Sequence, residues 1–351
     1  MKKITLTLLL MFAVFLQFPV ASFAANELRV LIWSEYMPED FMDNFTKDTG
    51  IKSRVELYES TEELVAKLQA GGVKQYDVVV PSDYIINTMI KLNLLQKLDH
   101  SKLPNLANLE DSFKNTAYDP GNEYTAPYQW GTVGMLYNKE KLGADYVAST
   151  ALFFDPASRK GPVVMIDSIR EMLGIALKYM GKSVNTIDKN DLKALADMMI
   201  ETKSSKYFAG FDVGTGGRSK VVAGTAIAAL VYNGDAMRAV TEAPDKFVFA
   251  NPKEGGVIWA DNMAIPAGAP HVDYAHTFIN WVLDANNGAA LSNWTQYATP
   301  NKAAKEFITP EDLSNPAIYP SQETMKTLEF ITDLGKDNRY YDELWTMIKT
   351  R

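Results

Sequence analysis

The chain contains no cysteine and only three histidines among its 351 residues. The first absence excludes disulfides, thiol nucleophiles and thiolate metal sites, and it removes lipid attachment through a cysteine. The histidines are His100, His271 and His276; the last two lie five apart, which is wrong for a helical zinc pair, and no HExxH occurs. Each reads as a satisfied surface or core residue. Gly214-Thr215-Gly216-Gly217-Arg218 looks like a phosphate loop but departs from the GxxxxGK[ST] spacing, so it reads as a loop whose amides could line a cleft. No GxSxG elbow is present. Carboxylate pairs stay open, because glycoside hydrolysis needs only two acids. The balance of these absences points to binding without catalysis, cofactor or metal.

Positive charge is also short. Lys and Arg number 35 against 43 acids, a formal charge of −8. Such a surface argues against nucleic acid and anionic membrane as partners and mildly favours cationic ligands. Long apolar runs are missing except for one, Ile4 to Leu16, preceded by Lys2 and Lys3. Ser22-Phe23-Ala24 then places small residues at the −3 and −1 positions of a processing site. The run is shorter than the ~20 residues that span a bilayer. The pattern predicts a cleavable signal peptide over 1–24 and a periplasmic chain, monomeric and without a membrane anchor. Its remaining length suits two domains.

What is present alternates between strand and helix. Leu28 to Trp33 reads as a buried strand. Pro38 starts a helix with Phe41, Met42 and Phe45 inward, closed by Gly50. Val55 and Leu57 mark a second strand, and Ser60 with Glu63 forms a capping box. Tyr76 to Val80 is a third strand, and Ser82 caps the helix that follows. A second series has strands at Val163–Ile166, Ile227–Tyr232 and Val257–Ala264, with helices at 168–180, from Asp188 and over 274–283. This rhythm predicts an α/β fold with parallel strands, its two units joined by more than one crossing of the chain.

Aromatic and acidic residues collect just past the predicted strand ends, where open α/β sheets hold their ligands. They include Trp33-Ser34-Glu35-Tyr36, Ser82-Asp83-Tyr84, Asp167-Ser168 with Glu171, and Tyr232, joined by Tyr128-Gln129-Trp130 at the transition between the two series and Trp259-Ala260-Asp261 in the return segment. Ring faces attract an ammonium by ~0.5–2 kcal/mol each. They also cover methylenes at about 0.8 kcal/mol per CH₂. Carboxylates take the terminal amines through charge-assisted bonds. The set suits an organic cation, whereas Asp77 and Glu254 read as structural.

These same stretches resemble the periplasmic spermidine/putrescine-binding proteins of polyamine ABC importers. The markers are Trp33 to Tyr36, Asp77 to Tyr84 (DVVVPSDY), Ala126 to Gly131 (APYQWG), Tyr232-Asn233-Gly234, Pro252 to Asp261 (PKEGGVIWAD) and Tyr297 to Asn301 (YATPN). The resemblance implies a type II periplasmic binding fold, with two α/β lobes joined by hinge strands and a ligand cleft between them. One lobe would hold 25–133 and about 260–305; the other would hold 134–259 and about 306–351. Trp33, Tyr36, Tyr84, Trp259 and Tyr297 match aromatic ligand positions, with Tyr232 standing where Trp is usual. Ser34, Glu35 and Ser82 match polar contacts near one amine, and Glu171 and Asp261 match carboxylates facing the amines. Ser168 stands in place of a second acid, and Ile331 where a glutamine often reaches the far amine. The resemblance implies a polyamine ligand, putrescine or spermidine, and an inner-membrane ABC permease as partner. The alternative is another small organic cation or an amino-acid derivative in the same fold.

Overall fold

The computed structural model describes residues 27–143, 145–213 and 215–351. The expected signal peptide and Gly214 lie outside the described residues.

The strands are β1 (Glu27–Trp33), β2 (Lys52–Tyr58), β3 (Val78–Val79), β4 (Leu95–Gln96), β5 (Thr125–Asn138), β6 (Val163–Ile166), β7 (Phe208–Asp212), β8 (Ala228–Tyr232), β9 (Phe247–Ala250), β10 (Gly256–Pro266) and β11 (Leu328–Phe330). Their main path runs β2-β1-β3-β10-β5-β8-β6-β7, with β4 and β11 pairing β10 and β9 pairing β5. Two parallel blocks, β2-β1-β3 and β8-β6-β7, therefore flank one antiparallel pair, β5 and β10.

Of the central pair, β10 covers the expected strand Val257–Ala264, whereas β5 is what the alternating pattern could not show. β5 has 14 residues, all buried but the last, and β10 is buried along its whole length. Strands covered on both faces lose the polar-apolar alternation that marks a half-exposed strand. β5 pairs β10 from Thr125 to Val133 and then β8 from Val133 to Tyr137. These are the two long crossings between the halves.

Local rules place most of the remaining elements. The first helix runs Phe41–Thr49 and closes on Gly50 at φ 74°. It starts three residues later than the Pro38 signal suggests. Ser60 caps the helix Thr61–Gln69, accepting the Glu63 N–H at 3.2 Å. Glu63 reaches back to the Glu59 N–H rather than to Ser60, a one-residue variant of the expected box. Asp188 caps the helix Lys189–Lys203 through two amides. The Gly-rich stretch is mostly not a loop, since a helix runs Gly216–Val222 after Thr215. A Cβ on Gly217 would lie 3.0 Å from Val231, so close packing on β8 accounts for this glycine better than phosphate binding does.

Candidate ligand-binding site

The carboxyl ends of both parallel blocks open onto one cavity of about 350 Å³. Trp33 ends β1, Ser82 follows β3, Asp167 and Ser168 follow β6, and Tyr232 ends β8. All eleven expected site residues line it: Trp33, Ser34, Glu35, Tyr36, Ser82, Tyr84, Glu171, Tyr232, Trp259, Asp261 and Tyr297.

The aromatic wall is built edge to face. Tyr36 meets Tyr297 with ring centroids 5.5 Å apart at 85°, Tyr297 meets Trp259 at 5.1 Å and 75°, and Trp259 meets Tyr232 at 5.7 Å and 86°. Such contacts lock ring orientation, which keeps the faces available. Two glycines make room for this. A Cβ at Gly234 would fall 2.6 Å from the Tyr297 ring, and one at Gly131 would fall 2.6 Å from Trp259. Tyr128 stands behind the wall, its hydroxyl donating to the Tyr36 carbonyl at 2.9 Å. Trp33 stacks at a tilt on Tyr58, 4.2 Å between centroids.

Asp261 lies at a β-bulge where the β10–β5 register shifts, a device that re-aims a side chain. It is only 5% exposed. Burial pushes its carboxyl up to about 7, against the opposing pull of the Ser82 and Tyr36 hydroxyls. Ser82 occupies the cap position of the helix Asp83–Lys91 but does not cap it; its hydroxyl donates instead to Asp261 Oδ1 at 2.6 Å. At ~1.4 kcal/mol per tenfold change in proton affinity, ionising Asp261 in the empty cleft costs on the order of 4 kcal/mol more than ionising a carboxyl in water. A bound cation would offset that cost.

Glu171, in the first turn of the helix Ile169–Tyr179, is likewise raised by burial and lowered in part by the Ser168 hydroxyl, which donates to it. The serine in place of a second acid therefore serves the first one. Asp235, which sequence reasoning missed, lines the same cavity, and burial pushes it up to about 6. It had a readable signal. Like Glu171, it sits in the first turn of a helix that begins at a strand end, where the helix dipole favours an acid. None of these three carboxylates forms an ion pair among the described residues.

Other acids at the cavity are already partnered. Glu35 pairs with Arg238 at 3.0 Å and Arg218 at 3.3 Å. Asp167 lines the cavity and pairs with Lys349 at 2.6 Å. Ser34 donates to Glu59 at 3.4 Å, and the Tyr84 hydroxyl donates to Thr61 at 2.8 Å. Ile331 is not in this cavity. It lines a second one, with Trp130. Asp77 accepts the N–H groups of Arg29 and His271, and Glu254 accepts from Ser149 and the Thr150 N–H, as structural acids do.

Two α/β halves sharing two long strands, with an aromatic and acidic cavity at the strand ends, define a two-lobed solute-binding protein of the periplasmic binding fold. The chain belongs to the bacterial extracellular solute-binding protein family, whose model matches residues 40–320. Over 324 residues it is 34% identical to the spermidine/putrescine-binding periplasmic protein of Escherichia coli, covering 92% of each chain. It is 35% identical to a putrescine/cadaverine-binding protein of Pseudomonas aeruginosa, covering 93% of this chain and 95% of that one. A solved structure described as a spermidine/putrescine ABC transporter from Listeria monocytogenes superposes with a TM-score of 0.84 at 35% identity, over 92% of this chain and 99% of that one.

Proposed function

We propose that the chain is the periplasmic solute-binding component of an ABC importer and that it binds a polyamine without transforming it. The observation that carries this reading is the pairing of an edge-to-face aromatic wall with buried, unpaired Asp261 and Glu171 in one cavity. Methylenes would lie along the rings, and ammonium groups would take the carboxylates. Trp33, Tyr36, Tyr84, Tyr232, Trp259 and Tyr297 form the cage, with Ser34 and Ser82 as polar support. Glu35 acts across the cleft through its arginines rather than on an amine.

The first lobe holds residues 25–133 and about 260–305. In support, Asn105 on the first-lobe side bonds Asn280 of the helix Val272–Val282 at 2.9 Å. The second lobe holds 134–259 and about 306–351; Tyr341 of the last helix donates to the carbonyls of Val184 and Thr186. Closure about β5 and β10 is driven by differential affinity for the closed state, and an inner-membrane permease reads that state. The protein acts as a monomer exported by a cleavable signal. Isothermal calorimetry of refolded, ligand-free protein against putrescine, spermidine, spermine and cationic amino acids tests this. Micromolar or tighter binding of a polyamine is expected, and millimolar binding of all of them overturns it.

A further inference from the structure

The cavity's acids sort into neutral clusters and a remainder. Asp167 leaves β6 on the same wall as Ser168 and Glu171, and its Oδ2 accepts from Lys349 Nζ at 2.6 Å. That ammonium also lies 4.7 Å from the Phe211 ring centroid and 5.4 Å from Trp345, and Trp345 itself lines the cavity. A carboxylate and two aromatic rings thus hold an ammonium at the end of a four-carbon stem. This is the recognition chemistry expected for the ligand, satisfied by the chain's own side chain. The helix Asn338–Thr350 that carries it is anchored: Lys203 Nζ donates to the carbonyls of Ile348 and Lys349, and Tyr341 is buried.

A second cluster balances in the same way. Arg218 and Arg238 pair with Glu35, and their charges also act on Asp235, so two cations face two acids. Glu59 and Glu62 stand on the exposed rim, where solvent and salt screen them. Asp261 and Glu171 form no ion pair among the described residues, although the charge of the neighbouring Arg170 also acts on Glu171, and they are the acids left to take the ligand's positive charges.

We propose that Lys349, held beside the cavity-lining Asp167 and Trp345, is a built-in ammonium that takes the place of a ligand amine at this end of the cleft, and that it restricts the ligand to a short α,ω-diamine over a triamine. The inference rests on the polyamine reading above. A third ligand amine arriving beside Asp167 would meet the lysine's positive charge and find the acid and both rings already used.

The test is calorimetry with putrescine and spermidine on the wild type and on Lys349→Met, Lys349→Arg and Asp167→Asn/Lys349→Met. Methionine keeps an apolar stem and removes the charge. The wild type is expected to bind putrescine at least tenfold tighter than spermidine. Lys349→Met should shift that ratio at least tenfold toward spermidine while changing putrescine affinity by less than threefold. Lys349→Arg should keep the wild-type ratio, and the double variant should lose the gain for spermidine, because the vacated acid is gone. A merely structural role would weaken both amines together. An unchanged ratio in Lys349→Met, or a wild type that already prefers spermidine, overturns the inference and leaves the polyamine reading standing. If no polyamine binds the wild type below the millimolar range, both fall.

Discussion

Two of the cavities among the described residues share Tyr84, and the larger of these two is the weaker site for a cation. The cleft at the strand ends measures about 350 Å³, whereas the hollow lined by Asp83, Glu110, Trp130, Ile331 and Asp333 measures about 620 Å³. Both mix aromatic rings with acids. They differ in what the acids are doing. In the larger hollow Asp83 takes the N–H groups of Ala260 and Tyr84, Glu110 pairs with Lys305 at 2.6 Å, and Asp333 pairs with Lys91 at 2.6 Å. In the smaller one Asp261 and Glu171 each accept from a serine hydroxyl and form no ion pair among the described residues, with the charge of Arg170 acting on Glu171 alone. Volume does not separate the two cavities; the partners of their acids do. Asp83, also raised by burial and without a counter-ion among the described residues, is held by two backbone N–H groups, whereas Asp261 and Glu171 are met by hydroxyls. A buried carboxylate without a counter-ion is costly to the empty protein, which makes it valuable to a cationic ligand.

The substitution with the largest expected effect removes that unmet charge. Asp261→Asn keeps the shape and the acceptor for Ser82 but cannot form a charge-assisted bond, worth about 1.5–3 kcal/mol. Polyamine affinity should fall at least tenfold by calorimetry, at about 1.4 kcal/mol per factor of ten. The ligand-free protein should melt no lower than wild type, since a desolvated charge has been removed. A variant that binds normally, or that binds weakly only because it has unfolded, breaks the contrast between the cavities.

Protonation should give an effect of intermediate size. Burial holds Asp261 up to about 7 and Asp235 up to about 6 in the folded, ligand-free protein, both above the ordinary carboxylate range. Folding then favours the protonated form. The stability these groups contribute is present at low pH and is lost as pH rises from about 4 toward 7. Ligand binding has the opposite sign, because an ammonium favours the ionised carboxylate. Affinity should rise about tenfold between pH 5.5 and 7.5 and then level off. Calorimetry in two buffers of different ionisation enthalpy should detect a proton released on binding near pH 6.5. A flat profile would mean that Asp261 is already ionised and matched.

The sequence showed the cavity's wall more readily than its charge balance. Strand ends followed by aromatic and acidic residues located Trp33, Tyr36, Tyr84, Glu171 and Tyr232, because in a parallel sheet those positions converge, whereas Asp261 reaches the cavity from a bulge inside the antiparallel strand β10. β5 was hidden by being buried on both faces, and the Gly216–Val222 helix by its glycines. Asp235 was missed although its first-turn placement repeats that of Glu171. The partners of Glu35 and Asp167 were unreadable, since Arg238 and Lys349 lie 203 and 182 residues away. Which acid stays free depends on such distant pairings, and residue spacing carries no trace of them. Ile331 shows the same limit: nothing in the residue spacing says that it lines the second cavity beside Trp130.

The smallest predicted effect concerns the larger hollow. Burial acts to raise the Asp333 carboxyl, but Lys91 and the Gly335 N–H outweigh it, and the group lies below its ordinary value. Its contribution is therefore present above the ordinary carboxylate pKa and is lost as pH falls through the lowered one. Lys91 is largely exposed, which limits the pair to about 0.2–1 kcal/mol. Asp333→Asn should lower the melting temperature by roughly 2 °C at pH 7. That difference should vanish in acid, and polyamine affinity should stay within twofold of wild type. A large loss of binding would show that the two cavities are coupled through Tyr84 and Asp83, and that the second is part of the ligand site.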